Sequence, residues 1–294
     1  MPGRVGRPLR RHPPAATLGG MDTWKFYDIT HRDHVVCNPT SVAKLDELID
    51  LLDLPAEAPR VLDIACGKGE FLLRLAARYG TRPGGGGFRG VGVDISPFHI
   101  AELRVAAARR APDADLELLE MGGADYRAEP ASFDLASCLG GSWIFGGHAG
   151  TLRALRDATR PGGQVLVGEP FWRREPDPAY LASAGLQRGE FGTHAENVGA
   201  GVDAGLVPLL ALVSNGDEWD RYETLQWRAA ARYAAANPED PDVPELLARV
   251  ERSRDEYLTG GRETLGWSLY LFRRPRATLG LPDAGAAGHK IGGR

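Results

Sequence analysis

Val61-Leu62-Asp63-Ile64-Ala65-Cys66-Gly67-Lys68-Gly69-Glu70 is the stretch on which the reading of this chain turns. Val61 to Ala65 make a short apolar run of strand length, and a Gly-x-Gly turn follows it. Such a turn bends the chain sharply and brings bare backbone against a ligand. A helical pattern through Phe71, Leu72, Leu75 and Ala76 comes next and ends at Gly80. Dinucleotide sites favour G-x-G-x-x-G, but here Glu70 follows Gly69 and Phe71-Leu72 stand where a third glycine would come. Asp63 lies inside the strand. A carboxylate there suits a ligand that presents an ammonium group to the turn, and it would repel a pyrophosphate.

Outward from this unit, helix and strand alternate. Upstream, Ser41 caps a helix whose apolar positions Val42, Leu45, Leu48, Ile49 and Leu52 recur at helical spacing, until Pro55 and Pro59 stop it. Downstream, a Gly84–Gly87 loop leads to a second strand, Val91 to Asp94. Ser96-Pro97 then opens a helix with Ser as cap and Pro at its first position. Leu116 to Glu120 and Phe133 to Cys138 read as strands three and four. A helix through Leu152, Leu155 and Ala158 is expected to end at a Pro161-Gly162-Gly163 turn, and Gln164 to Glu169 is the fifth strand. Two late strands, Leu206–Val213 and Trp267–Phe272, are separated by residues 214–265, which carry helical patterns around Trp219–Ala236 and Pro244–Leu258. That insertion is too long for a hairpin turn and is expected to lie over the site as a lid.

This order predicts an α/β domain over residues 21–274: a mostly parallel seven-stranded sheet, flanked by helices, with a helical insertion between its last two strands. Ligands of such sheets bind beyond the carboxyl ends of the strands, where strand order reverses. Asp94, 25 residues after Gly69, closes the second strand, where its carboxylate can accept from two ribose hydroxyls. The lesser alternative for Asp94 is a cap for the helix that opens at Ser96-Pro97. After the third strand, Gly123-Ala124-Asp125 offers a short polar residue to an adenine edge.

Composition bounds the rest. The net charge is −4, and the first twenty residues hold four arginines and no acid, leaving the folded part more acidic still. That balance carries no footprint for nucleic acid. Cys37, Cys66 and Cys138 lack metal-ligand or disulfide spacing, so no metal is expected and a reducing cytoplasm suits them. No apolar run has the length of a membrane span. Residues 1–20, with Met21 as an alternative start, and residues 275–294 read as loose tails.

VLDIACGKGE, GVGVDIS, FDLASCLG and PGGQVLVGEP, in this order and spacing, resemble the class I S-adenosylmethionine-dependent methyltransferases over about residues 60–170 and the two late strands. Ala65 departs from the family's usual glycine. The resemblance implies a Rossmann-like fold and S-adenosyl-L-methionine as cofactor. It implies that Asp63 organises the methionine amino group through the Ala65-Cys66-Gly67 loop and that Gly67 and Gly69 give close backbone approach. Asp94 and Ile95 would hold the ribose, Ala124 or Asp125 the adenine, and Cys138 to Gly140 the methionyl end.

The acceptor side is read from residues outside those motifs. Trp24 to His34, Gly140 to Phe145, Gly168 to Trp172 and Asp217 to Glu223 are dense in aromatic and titratable side chains. Glu169 and His31 are the candidate bases. Tyr27, His34, Trp143, Trp172, Trp219 and Tyr222 are candidates for acceptor binding. Each has a plainer reading: hydrogen-bonded loop histidines, packing tryptophans, a helical packing stripe. The leading expectation is methyl transfer to an oxygen or nitrogen of a small metabolite by a monomer or homodimer. A nucleotide-dependent oxidoreductase and a catalytically idle cofactor-binding fold are the alternatives.

Overall fold

The computed structural model describes residues 20–80 and 87–276. The two tails, and most of the Gly84–Gly87 loop, lie outside them. Chain order is α1 (Thr23–Thr30), α2 (Val42–Asp50), β1 (Arg60–Ile64), α3 (Glu70–Tyr79), β2 (Arg89–Asp94), α4 (Pro97–Arg110), β3 (Asp115–Glu120) and β4 (Phe133–Leu139). Then follow a 3₁₀ turn (Ser142–Phe145), α5 (His148–Ala158), β5 (Thr159–Trp172), α6 (Pro178–Ala184), α7 (His194–Asp203) and β6 (Val207–Val213). The chain continues through α8 (Gly216–Ala236), α9 (Val243–Glu256), a π turn (Tyr257–Gly261) and β7 (Leu265–Arg273).

The seven strands form one sheet in the order β3-β2-β1-β4-β5-β7-β6. β7 runs antiparallel to β5 and β6, and the remaining pairs are parallel. Strand order reverses between β1 and β4, which makes the loops after these two strands the place where such a sheet binds its ligand. Alternation along the strands feeds two cores. Leu166, Leu269 and Leu271 pack with α2 and α3 on one face, whereas Val165, Val167, Tyr270 and Phe272 pack with α5 on the other. At Gly201 of α7 a Cβ would stand 2.1 Å from the Phe272 ring, so glycine lets that helix sit down on the sheet.

The seven strands, the caps Ser41 and Ser96, and the stop at Gly80 agree with the sequence reading. Three features differ. Pro161-Gly162-Gly163 is not a turn outside the sheet. β5 begins at Thr159, Gly162 N–H donates to Arg274 O, and the register slips between Phe133 and Leu135. Helices α6 and α7 fill a region the periodicity left unassigned. The aromatic stretch before Ser41 contains helix α1. Its sequence TWKFYDIT is poor in strong helix formers and too short to be helical alone. Asp22 caps it by accepting from Lys25 N–H, and Phe26 and Ile29 are buried with Met21, Ala230, Leu246 and Val250 of the α8–α9 pair.

Candidate active site

The loop after β1 takes three left-handed residues in a five-residue span: Ala65 at φ +57°, Gly67 at +55° and Gly69 at +69°. Gly69 is required twice over. A Cβ there would come within 2.2 Å of Leu103, so this glycine serves the packing of α3 against α4. Gly67 has more room, the nearest neighbour of a Cβ there being Cys37 at 3.9 Å. Glu70, buried at the start of α3, is taken by Arg74 and Arg110 and is structural.

Asp94 at the end of β2 braces this loop against the next. Its Oδ2 accepts from Gly67 N–H and its Oδ1 from Ser96 N–H, both at 2.8 Å. Each oxygen keeps a further lone pair for a hydroxyl. The helix cap proper is Ser96, which accepts from His99 N–H. Asp63 is buried, accepts from Ser137 Oγ–H at 2.8 Å, and burial pushes its carboxyl up to about 7. An ammonium group near the loop would restore its ionised form. Ile95 is exposed beside Asp94, and Ala124 and Asp125 are exposed after β3, with Gly123 tucked against Ile64 and Ile144.

At the end of β4, Cys138 is fully buried, and Gly140, at φ +106°, lies against the Trp267 ring. Here the structure adds two residues the sequence reading missed. Asn38 donates from Nδ2 to Leu139 O at 3.3 Å, while its Oδ1 is buried with no partner. His99, in the first turn of α4, puts Nδ1 3.9 Å from Asp94 Oδ1 and leaves Nε2 buried and unpartnered. The Asn38-Pro39 pair before a capped helix was the available signal for the first; His99 carried none. Unsatisfied buried polar atoms around a glycine cradle fit a polar ligand with ribose and amino-acid ends.

A roof closes over these loops. Lys68 Nζ, from the Gly67–Gly69 turn, donates to Arg32 O at 3.3 Å and pairs with Glu102 at 3.0 Å. Trp267 Nε1–H donates to Thr40 Oγ1, and Glu218 of α8 accepts from Ser41 N–H. Within the roof, His31 Nε2 lies 3.1 Å from Tyr222 Oη, and its Nδ1 contacts Tyr27 O and Thr30 Oγ1. With both nitrogens engaged, burial lowers its pKa to about 3, which makes it a neutral partner of Tyr222 and a very weak base. His34 differs. Its Nε2 stands 2.9 Å from Tyr222 O, a carbonyl that can only accept, so the ring proton sits on Nε2. Nδ1 is then a buried lone pair with no donor. Tyr27 packs against the His31 ring, at 5.7 Å between centroids.

The remaining candidates separate. Trp143 is exposed on the 3₁₀ turn after β4. Trp172 is buried, donates Nε1–H to Arg188 O and packs on Phe191, so its indole is committed to the segment between β5 and α7. Trp219 is buried and stacks on Tyr257. Glu169 lies within β5, which runs three residues beyond the end expected from the sequence, and faces the α5 side: Oε1 accepts from Ser142 Oγ–H at 3.0 Å, and Oε2 is 3.9 Å from His148 Nδ1. Burial pushes its carboxyl up to about 8, so it carries a proton at neutral pH.

Comparison with known proteins agrees with this geometry. A family model described as a methyltransferase domain matches residues 61–163. An uncharacterized Escherichia coli protein, YjhP, is 31% identical over 252 residues, which are 85% of this chain and 98% of that protein. Two solved structures, both S-adenosyl-L-methionine-dependent methyltransferases in complex with S-adenosyl-L-homocysteine, align over nearly their whole length. That from Geobacter sulfurreducens is 29% identical with a TM-score of 0.76, covering 86% of this chain and 98% of its own. That from Thiobacillus denitrificans is 31% identical with a TM-score of 0.74, covering 84% and 97%. With the braced glycine loop, the carboxylates at the ends of β1 and β2, and relatives this similar along nearly their full length, the chain belongs to the S-adenosyl-L-methionine-dependent methyltransferases.

Proposed function

We propose that this methyltransferase moves the methyl group to an oxygen or nitrogen of a small organic molecule held between the cofactor loops and the α1–α8 roof. The observation that carries the reading is the pair of buried lone pairs without donors, His34 Nδ1 and Asn38 Oδ1, on the segment that crosses the end of β4. Buried acceptors left open are costly unless a ligand supplies the donors. S-adenosyl-L-methionine supplies an electrophilic methyl on a sulfonium. Asp63 and Asn38 would face its ammonium end, Asp94 with Ile95 its ribose, Ala124 and Asp125 its adenine, and Leu139-Gly140 its methionyl chain.

His34 Nδ1 is then the group placed to take the acceptor's proton. His31 holds Tyr222 in place and Glu169, protonated at neutral pH, acts as a hydrogen-bonding group rather than a base. Tyr27 and Trp143 frame the acceptor, while Trp172 and Trp219 support its walls. A roof sealed by side chains and the negative net charge favour a small metabolite over a nucleic acid. The unpaired cysteines suit a cytoplasmic setting.

Labelled S-adenosyl-L-methionine, incubated with the enzyme and a metabolite extract, is expected to label one or a few small molecules. His34→Gln, which preserves a donor toward Tyr222 O, should then slow that labelling about 100-fold with S-adenosyl-L-homocysteine affinity nearly unchanged. Equal rates for the two proteins would remove His34 from the role, and label appearing in no small molecule would remove the acceptor class.

A further inference from the structure

We propose that Glu223 and the rings around it form a subsite for an alkylammonium group on the methyl acceptor, an inference that rests on the acceptor pocket proposed above and narrows its occupant. Trp219, Glu223 and Trp227 recur every four residues on α8 and so share one face of the helix. Tyr257, first residue of the π turn, stands opposite them. Its ring is stacked on Trp219 at 6.3 Å with planes 22° apart, and meets Trp227 edge-on at 6.4 Å. Tyr180 of α6 reaches the same place: a Cβ at Gly260 would lie 2.4 Å from its ring and one at Gly261 3.2 Å from its hydroxyl. The two glycines of the π turn are what admit that phenol, and π turns recur at functional sites. Glu223 is close enough to the phenols of Tyr180, Tyr222 and Tyr257 for its charge to raise the pKa of all three.

Glu223 is the unbalanced member of this cluster. Among the described residues it makes no hydrogen bond and no ion pair, and it is half-buried. Three other acids of the roof are compensated: Glu218 by Lys44, Asp220 by Arg262 and Tyr257, Asp240 by Lys25. Glu256, whose charge also reaches Tyr180, adds a second negative group on that side. Burial alone pushes the Glu223 carboxyl up to about 7. A half-buried carboxylate on a helix face flanked by aromatic rings and lacking a cation is complementary to a cation from outside, because ring faces and the carboxylate attract it together. The indole Nε1–H groups of Trp219 and Trp227 are buried without acceptors, and an oxygen on the same molecule would give such a donor its partner. The chemical class is therefore a small amine, protonated or quaternary, that also carries an oxygen.

The test titrates the full chain, saturated with S-adenosyl-L-homocysteine, with choline and with its uncharged carbon isostere 3,3-dimethyl-1-butanol, following tryptophan fluorescence and heat. Choline is expected to bind at least about tenfold more tightly than the isostere. Glu223→Gln, which keeps the shape of the side chain, should abolish that preference and leave S-adenosyl-L-homocysteine affinity within about twofold. Equal affinity for the two probes, binding of neither, or a preference that survives Glu223→Gln would overturn the subsite. Failure of the unmodified chain to bind S-adenosyl-L-homocysteine alone would instead overturn the reading beneath it, and that titration is made separately.

Discussion

Ala65 sits at φ +57° in the cofactor loop, in the region that costs a residue with a Cβ about 1–2 kcal/mol. Its Cβ also approaches Gly141, where a second Cβ would come within 2.7 Å. The loops after β1 and β4 therefore pack tightly at the point where strand order reverses, and alanine is carried there under strain. Ala65→Gly should relieve that strain. Against the extra freedom glycine has in the unfolded chain, the net gain is about 1 kcal/mol. Thermal unfolding of the two proteins would show it as a rise of about 2–4 °C in Tm, and a fall would mean that the Cβ contributes more by packing than it costs in backbone energy. The same local view separates the two glycines of the motif. Sequence reading assigned both to ligand approach, but Gly69 answers to Leu103, whereas a Cβ at Gly67 would meet only Cys37, at 3.9 Å. Only the fold, which brings α4 against α3, could tell them apart.

At the scale of elements, a largely enclosed lysine joins the roof to the loop after β1. Lys68 stands between Gly67 and Gly69, its side chain largely enclosed, and ties the turn after α1 through Arg32 O and α4 through Glu102. Helix α1 is too short to persist without such ties. Lys68→Met keeps the apolar stem and removes the charge, leaving Glu102 half-exposed and solvated. It should cost α1 about 1 kcal/mol of local stability, read as roughly fivefold faster amide exchange over residues 23–34 with β1 and β2 unaffected. Uniform acceleration across the sheet would mean the lysine supports the whole fold instead.

This level also marks where sequence reading stopped. Strands β1, β2 and β4 are short, largely apolar runs, a glycine turn follows β1 and the Ser96 cap follows β2, so periodicity and these stops were enough. Helix α1 carries aromatic and β-branched residues that favour other conformations and is helical because α8 and α9 bury it. Asp63 and Asp94 were legible because each lies in the last two residues of a strand. Asn38 and His99 were not, since their significance lies in contacts to Leu139 and Asp94 from distant segments.

The whole molecule holds an unusual balance of buried titratable groups, and its stability should follow them with pH. Burial raises the carboxyls of Asp63 and Glu223 to about 7 and of Glu169 to about 8. A carboxyl raised in the folded state contributes stability that is complete below its unfolded pKa, near 4, and is lost as pH rises through the folded value. Burial lowers His31 to about 3 and lowers His34, His99, His148 and His194 as well. An imidazole lowered in this way contributes stability that is complete above about 6.5 and is lost as pH falls. The two sets oppose each other between pH 4.5 and 6.5, and above that only the carboxyls act. Stability of the ligand-free protein should therefore peak near pH 6.5 and decline toward pH 8, by at most about 1.4 kcal/mol per pH unit for each carboxyl still titrating. Glu169→Gln isolates one of them, since its amide oxygen still accepts from Ser142 while no proton can be lost. Thermal unfolding across pH 5–8.5 should show the variant gaining on the unmodified protein most clearly between pH 7 and 8, where Asp63 and Glu223 have already ionised. Parallel curves over that interval would mean Glu169 is not held as a buried acid. Saturation with S-adenosyl-L-homocysteine should flatten the decline below pH 7 and leave the Glu169 portion standing, because in the proposed binding mode its ammonium group would compensate Asp63 and not Glu169.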